Sequence, residues 1–252
     1  MSAPTIRRIG WAGYVVTTET GTRLVIDPYL HGSEGSHSGL PESPITVSEL
    51  VDADVVAVTH AAYDHRAQAI DVTLPGAAIL LCGSALYGAA LDAGVPAERC
   101  AGVVGGVTFQ HADVTIKALD ARHTSNMISN GQFVADEPMS FMLTTKGGSR
   151  IFCGGDFSIS GDMRTWRELF APRVAVLGIG GVQLGPVDTT ELPPADAAIA
   201  ADWLGVSTVI AVHHVPGDSA PEELAREIAA RGLDIEVVAL EFGQTWTQPT
   251  VT

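Results

Sequence analysis

The stretch Thr59-His60-Ala61-Ala62-Tyr63-Asp64-His65 places two imidazoles and a carboxylate within six residues, where an apolar run at 54–58 gives way to a helix-like segment. Neutral imidazole with carboxylate is a donor set for Zn, Mn or Fe, and side chains grouped at a strand end can converge on one ion. The same residues also read as a helix cap, Asp64, flanked by surface histidines. More His and Asp residues terminate other apolar runs. His123 follows the strand beginning at Val114, Asp156 follows Ile151-Phe152-Cys153-Gly154-Gly155, and His213 with His214 follow the run at 208–212. Strand ends on one edge of a layered fold can meet in space, where loops build a site on a rigid scaffold.

Candidates for substrate contact are Tyr63, Arg122, Asn126, His37 and His214, with Trp11, Thr124 and Ser125 beside them. Arg122 can pair with a carboxylate or phosphate, and it also reads as a surface cation. No GxSxG elbow occurs and no Cys has a neighbouring His, so no protein nucleophile competes. Gly154-Gly155 and Gly178-Ile179-Gly180-Gly181 match neither a P-loop nor GxGxxG and read as close backbone approaches near the site.

The elements that must position these residues follow from periodicity and turn chemistry. Strands are expected at 6–10, 14–18 and 23–27, the last two joined by a Gly-containing turn at 19–22. Residues 28–44, rich in Gly, Ser and Pro, read as a long loop, either a functional cover or disordered. Alternation follows: strand 54–58, a helix after Asp64, strand 77–82, helix 84–91, and short strands around Val103 and Val107. Val114, Ile116 and Ala118 alternate with Thr115, Lys117 and Leu119, the period of a strand with one buried face. Strands 140–145 and 150–153 flank the hairpin signature Lys146-Gly147-Gly148-Ser149. Buried-type strands at 174–177 and 209–212 bracket a helix at 193–204, with Pro near its start and Gly205 after its end. A helix at 219–231 carries Ser219 and Glu222 as a capping-box pair and stops at Gly232, before a strand at 235–239. Two packed sheets sheathed by helices are expected, in one domain over 1–252.

Composition narrows the function classes. With 29 acidic and 14 basic residues the formal charge is −15, and Lys117 and Lys146 are the only lysines. Such a field repels polyanions, which excludes nucleic acid and anionic membranes as expected partners and favours a small molecule. At 46% hydrophobic the chain supports a sizeable core and excludes intrinsic disorder. Cys82, Cys100 and Cys153 form no CxxC pair and read as buried thiols of a reducing compartment. The opening MSAPTIRRIGWAG has no signal-peptide core, and no window reaches the roughly 18 apolar residues of a membrane span. A soluble cytoplasmic protein is expected, with a homo-oligomer left open.

The opening strands ending in Ile26-Asp27-Pro28, the THxxxDH stretch, His123, the Gly154-Gly155-Asp156 segment and the C-terminal strand with His213 together resemble the metallo-β-lactamase fold superfamily, over nearly the whole chain. Ile26-Asp27-Pro28 and Val212-His213-His214 look most like the branch with ascorbate-6-phosphate lactonase-type hydrolases. The resemblance implies an α/β fold, a four-layer αββα sandwich with one or two metals along one edge. His60, Asp64 and His65 match the HxHxDH pattern, His123 the next histidine, Asp156 the bridging carboxylate and His213 the last histidine. Ala62 stands where the pattern has its second histidine. One implied site then keeps only His60, His123 and Asp156, whereas the other keeps Asp64, His65, Asp156 and His213. A single ion, Zn with Mn or Fe as alternatives, is the favoured state, and His31 or His37 are candidates for the missing ligand.

The implied activity is hydrolysis of a small lactone, ester, amide or phosphoester by metal-activated water, with Asp64 as catalytic residue as well as ligand. The alternatives are a metalloenzyme of another class, such as a cyclase, decarboxylase or oxygen-using enzyme, and a non-catalytic binding protein.

Overall fold

Short apolar runs separated by Gly, Pro and Asp turns pair into two seven-stranded sheets. The computed structural model describes residues 2–32, 39–180, 183–184, 187–188 and 192–249, with backbone alone at 183–184 and 187–188. β1 (Thr5–Arg8), β2 (Tyr14–Thr17) and β3 (Arg23–Ile26) form an antiparallel meander, and β4 (Val55–Ala57) adds in parallel to β3. After α1 (Tyr63–Arg66) and α2 (Ala69–Thr73), β5 (Ile79–Cys82) joins β4, and after α3 (Ser84–Asp92) β6 (Cys100–Gly102) closes that edge.

The second sheet starts with β7 (Thr108–His111) and β8 (Val114–Asp120), a hairpin. A separate hairpin, β9 (Asn126–Ser129) with β10 (Gln132–Ala135), follows, then β11 (Met139–Thr145) and β12 (Arg150–Cys153). α4 (Asp162–Phe170) leads to β13 (Val174–Gly178), beyond which β14 (Gln183–Leu184) and β15 (Val187–Asp188) make a short pair. α5 (Pro194–Leu204), β16 (Thr208–Val212), α6 (Ala220–Ala230) and β17 (Glu236–Ala239) extend the sheet in parallel, and β18 (Thr245–Thr247) returns to pair with β1. The orders are β18-β1-β2-β3-β4-β5-β6 and β17-β16-β13-β12-β11-β8-β7.

Alternating side chains divide the core into three layers. Ile6, Val16, Leu24 and Ile26 face Ile116, Phe141, Ile151 and Val176 between the sheets. Val25, Val56 and Leu80 pack outward against Ala69, Val72, Leu86 and Ala90, and Phe152, Ala175, Leu177 and Val209 pack against Met163, Ala197, Leu204, Leu224 and Ile228. This is the expected four-layer αββα sandwich.

Both expected hairpins form, at 19–22 and 146–149, and β8 buries Val114, Ile116 and Ala118. α5 ends at Gly205, whose φ of 69° is the left-handed turn that glycine adopts without a Cβ clash. The Ser219–Glu222 capping box does not form. Ser219 has helical backbone angles rather than the extended ones a capping box needs, and its hydroxyl donates to Glu223 Oε1 at 2.7 Å. Asp218 Oδ1 accepts from Ala220 N at 3.0 Å instead. The short strands expected around Val103 and Val107 lie just outside those residues, at β6 and β7. Cys82 and Cys153 are buried and Cys100 half-buried, none of them bridged. Among the described residues no helix is long and apolar enough to cross a membrane.

Candidate metal centre

Because β3 and β4 run parallel in one sheet, and β12 and β16 run the same way as β8 in the other, the C-terminal ends of these strands share one edge. Asp27, His60, His123, Asp156 and His213 all follow those ends. Two backbone bonds stitch the sheets there: Met139 N donates to Thr59 O and His213 N to Trp11 O, both at 2.9 Å. Close approach requires glycine. A Cβ on Gly155 would stand 2.3 Å from Thr59 Oγ1, and one on Gly178 would meet His213 Cβ at 3.3 Å. Gly155→Ala is therefore expected to displace Thr59 and destabilise the protein by about 1–3 kcal/mol, the range for overpacking, as measured by urea denaturation.

The donor atoms of Asp64, His65, Asp156 and His213 lie within 4.8 Å of one another, and so do those of His60, His123 and Asp156. His65 Nε2 is 3.2 Å from Asp156 Oδ1 and 3.9 Å from Asp64 Oδ2. His213 Nε2 is 3.3 Å from Asp64 Oδ2 and 3.4 Å from Asp156 Oδ2. Ligands about 2.0–2.2 Å from a tetrahedral zinc stand roughly 3.3–3.6 Å apart, so these spacings fit such an ion. His123 Nε2 lies 3.8 Å from the shared Asp156. The rings of His60 and His65 are 4.1 Å apart, and those of His60 and His123 4.8 Å.

Unsatisfied atoms support the same reading. Buried polar atoms normally find hydrogen bonds. Yet His60 Nε2, His65 Nε2 and Asp156 Oδ1 are buried with no hydrogen-bond partner among the described residues. The contact of His65 with Asp156 is close in distance without the alignment of a hydrogen bond. Lone pairs left over in this way are what a cation takes.

Asp27 sets how two of these imidazoles are presented. It accepts from Thr59 N at 2.8 Å, from Thr59 Oγ1 at 2.7 Å and from His65 Nδ1 at 2.9 Å. Thr59's one hydroxyl proton is thus committed to Asp27, so its oxygen accepts from His60 Nδ1 at 3.1 Å. With a metal bound, both histidines would keep their proton on Nδ1 and turn the Nε2 lone pair to the centre, the tautomer a metal needs. Asp27 is not among the residues that spacing alone places in the site. Its signal is a carboxylate that stops the apolar run of β3 immediately before a proline.

Charge in the centre is strongly organised. Burial, with His65 beside it, drives His60 well below the ordinary histidine pKa, keeping the neutral form that coordinates. Burial also lowers His123. Burial works the same way on His65, but Asp156, Asp27 and Asp64 outweigh it and hold that imidazole well above the ordinary value. His213 is raised too, burial being overcome by Asp156 and Asp64. Burial would raise Asp156, but His213 and His65 hold it far below the usual carboxylate range. A pocket with these carboxylates favours positive charge.

A family model described as a beta-lactamase superfamily domain matches residues 22–214. The chain belongs to the beta-lactamase superfamily. A metal-dependent hydrolase of Methanopyrus kandleri is 31% identical over 246 residues, covering 95% of this chain and 99% of its own. One from Rubrobacter xylanophilus is 29% identical over 246 residues, with 95% and 94% covered. Among solved structures, a metallo hydrolase from the archaeon Ignicoccus hospitalis has the same fold, with a TM-score of 0.78 at 21% identity over 98% of this chain and 99% of that one. Full-length correspondence to such relatives sets the chain among the superfamily's metal-dependent hydrolases.

In this beta-lactamase superfamily chain the six expected ligands fall into the two donor groups, and the residues expected at substrate differ in burial and partners. Tyr63 is half-buried beside Tyr29, and Arg66 stacks on it at 5.4 Å. Arg122 and Asn126 are exposed, Asn126 at the start of the β9–β10 hairpin. His214 is buried and turned to Arg8 and Val215, so its ring nitrogens serve the protein. His31 is exposed and belongs to neither donor group, and His37 lies outside the described residues.

Asp27→Asn removes one charge at a φ of 48°, a left-handed conformation that Asn also tolerates. Metal affinity, read by competition with a chelator, is expected to fall about 10- to 100-fold, the usual cost of losing a partner that orients a ligand.

Proposed function

We propose that this chain hydrolyses a small molecule, a lactone, ester, amide or phosphoester, with one divalent ion held by Asp64, His65, Asp156 and His213. The observation that carries the proposal is the pair of donor groups sharing Asp156, with His60 Nε2 and His65 Nε2 buried and without hydrogen-bond partners among the described residues. Zinc suits the mixed imidazole and carboxylate set, with Mn or Fe as alternatives. The group of His60, His123 and Asp156 has three donors and binds an ion more weakly, because Ala62 contributes no ligand. The resemblance to ascorbate-6-phosphate lactonase-type enzymes favours a lactone within the substrate range.

When bound, the metal lowers the pKa of water from about 15.7 toward roughly 7 and polarises the oxygen of the scissile group. The protein does the rest. Asp64, buried and 3.3 Å from His213 Nε2, receives and holds the proton released from water. Asp27 and Thr59 fix His65 and His60 in one tautomer, so that no reorganisation accompanies the reaction. Trp11, 4.7 Å from the His213 ring, shields that ligand from solvent. The proposal is tested with purified protein, its metal removed by chelation and restored, against a panel of lactones, esters, amides and phosphoesters. Hydrolysis of at least one that vanishes on removal and returns with zinc, manganese or iron supports it, and metal-independent or absent hydrolysis across the panel counts against it.

A further inference from the structure

Arg8, the last residue of β1, is fully buried. A guanidinium taken out of water needs partners for its donors. Here Nε donates to Gly10 O at 3.2 Å, Nη1 to Leu240 O at 2.8 Å, and Nη2 to His214 O at 2.6 Å and Trp11 O at 3.5 Å. Nη1 also faces His214 Nε2 at 3.1 Å. Arginine only donates, so that nitrogen accepts, and His214 carries its proton on Nδ1, where it donates to Val215 O at 3.1 Å.

These partners bracket one metal ligand. Trp11 O also accepts from His213 N at 2.9 Å, and His214 is the next residue. His213 has a φ of 61°, a left-handed backbone that residues with a Cβ seldom adopt unless their surroundings impose it. Its ring differs from its neighbours in another way. His65 and His60 are oriented through Nδ1 by Asp27 and Thr59, whereas His213 Nδ1 has no hydrogen-bond partner among the described residues. The ring packs on Trp11 and its Nε2 reaches Asp64 Oδ2 at 3.3 Å, but with no side chain holding Nδ1 from behind, its placement depends on the backbone that Arg8 grips.

We infer that Arg8, acting with His214, is a positioning residue that holds His213 in its ligand conformation, the part that a hydrogen-bonded side chain plays for His60 and His65. This rests on the metal-site reading above. It also explains why a buried arginine is directed at carbonyls and an imidazole, with no carboxylate salt bridge among the described residues and Glu241 and Asp218 acting on it only through space. Burial lowers its pKa to about 10, so the guanidinium remains charged at neutral pH.

The test uses cobalt(II) in the full-length protein, with affinity read by chelator competition and ligand geometry by visible absorption. Arg8→Lys and His214→Leu are expected to weaken cobalt binding about 10- to 100-fold and to alter the absorption bands. His214→Gln, which keeps an acceptor for Arg8, is expected to retain the wild-type spectrum and affinity. A role confined to fold stability would lower the thermal transition of the metal-free protein and leave the spectrum of the folded, loaded protein as in the wild type. Wild-type affinity and spectrum in Arg8→Lys and His214→Leu would overturn the inference while leaving the metal site standing. If Arg8→Lys does not fold, His214→Leu alone decides. Absence of cobalt binding by the wild type would remove both the inference and the reading beneath it.

Discussion

Asp156→Asn is expected to leave the purified protein without stoichiometric metal and to lower hydrolysis roughly 1,000-fold, the upper scale for removing one group that stabilises charge in a reaction centre. The size follows from position. Asp156 belongs to both donor groups, its Oδ1 3.2 Å from His65 and its Oδ2 3.4 Å from His213 and 3.8 Å from His123. It is buried, so no water replaces the lost charge, and it follows Gly155, whose backbone approaches Thr59. Asn is nearly isosteric, and the shape of the edge should survive. Metal content by mass spectrometry and activity on a hydrolysed substrate give the result, with circular dichroism confirming the fold. Stoichiometric metal and activity within tenfold of wild type would show that Asp156 is not shared by an ion.

Ala62→His is expected to raise the metal bound at saturation from about one ion per chain to about two. Ala62 is the N-cap residue of α1, in extended conformation at φ −63° and ψ 147°, an ordinary geometry for histidine, and it is half-buried. It stands between His60 and Asp64, beside the group that has His60, His123 and Asp156 as donors. A fourth donor completes the usual number for zinc. Hydrolysis of generic esters and phosphodiesters should rise with the second ion. Unchanged stoichiometry at saturating zinc would mean that the side chain at 62 does not reach that group.

Much of this centre was legible because its ligands are polar residues that stop apolar strands. His60, Asp156 and His213 each follow a run of buried residues, and that break is visible without coordinates. What supports them was harder to read. Asp27 lies next to Pro28, where it reads as a turn residue, and its role depends on Thr59 and His65, 32 and 38 positions away. Arg8 sits in a short strand beside Arg7, and nothing local tells the buried arginine from its half-buried neighbour.

Elements without strong end signals were also missed. α4 presents Met163, Trp166 and Phe170 on one face, but it ends at Ala171, left-handed at φ 44°, where a glycine would have marked the stop. β18 is a three-residue edge strand, too short for a period to show. The β9–β10 hairpin did carry a signal, the Asn130-Gly131 turn with both residues at positive φ, between runs whose apolar residues, Met127-Ile128 and Phe133-Val134, fall in adjacent pairs rather than alternating.

The most direct measurement is anomalous diffraction at the zinc edge from crystals equilibrated with zinc. One strong peak is expected, enclosed by Asp64, His65, Asp156 and His213, with weaker or no density beside His60 and His123. A folded protein with no peak at this edge of the sandwich, or with its strongest peak away from Asp156, would contradict the assignment.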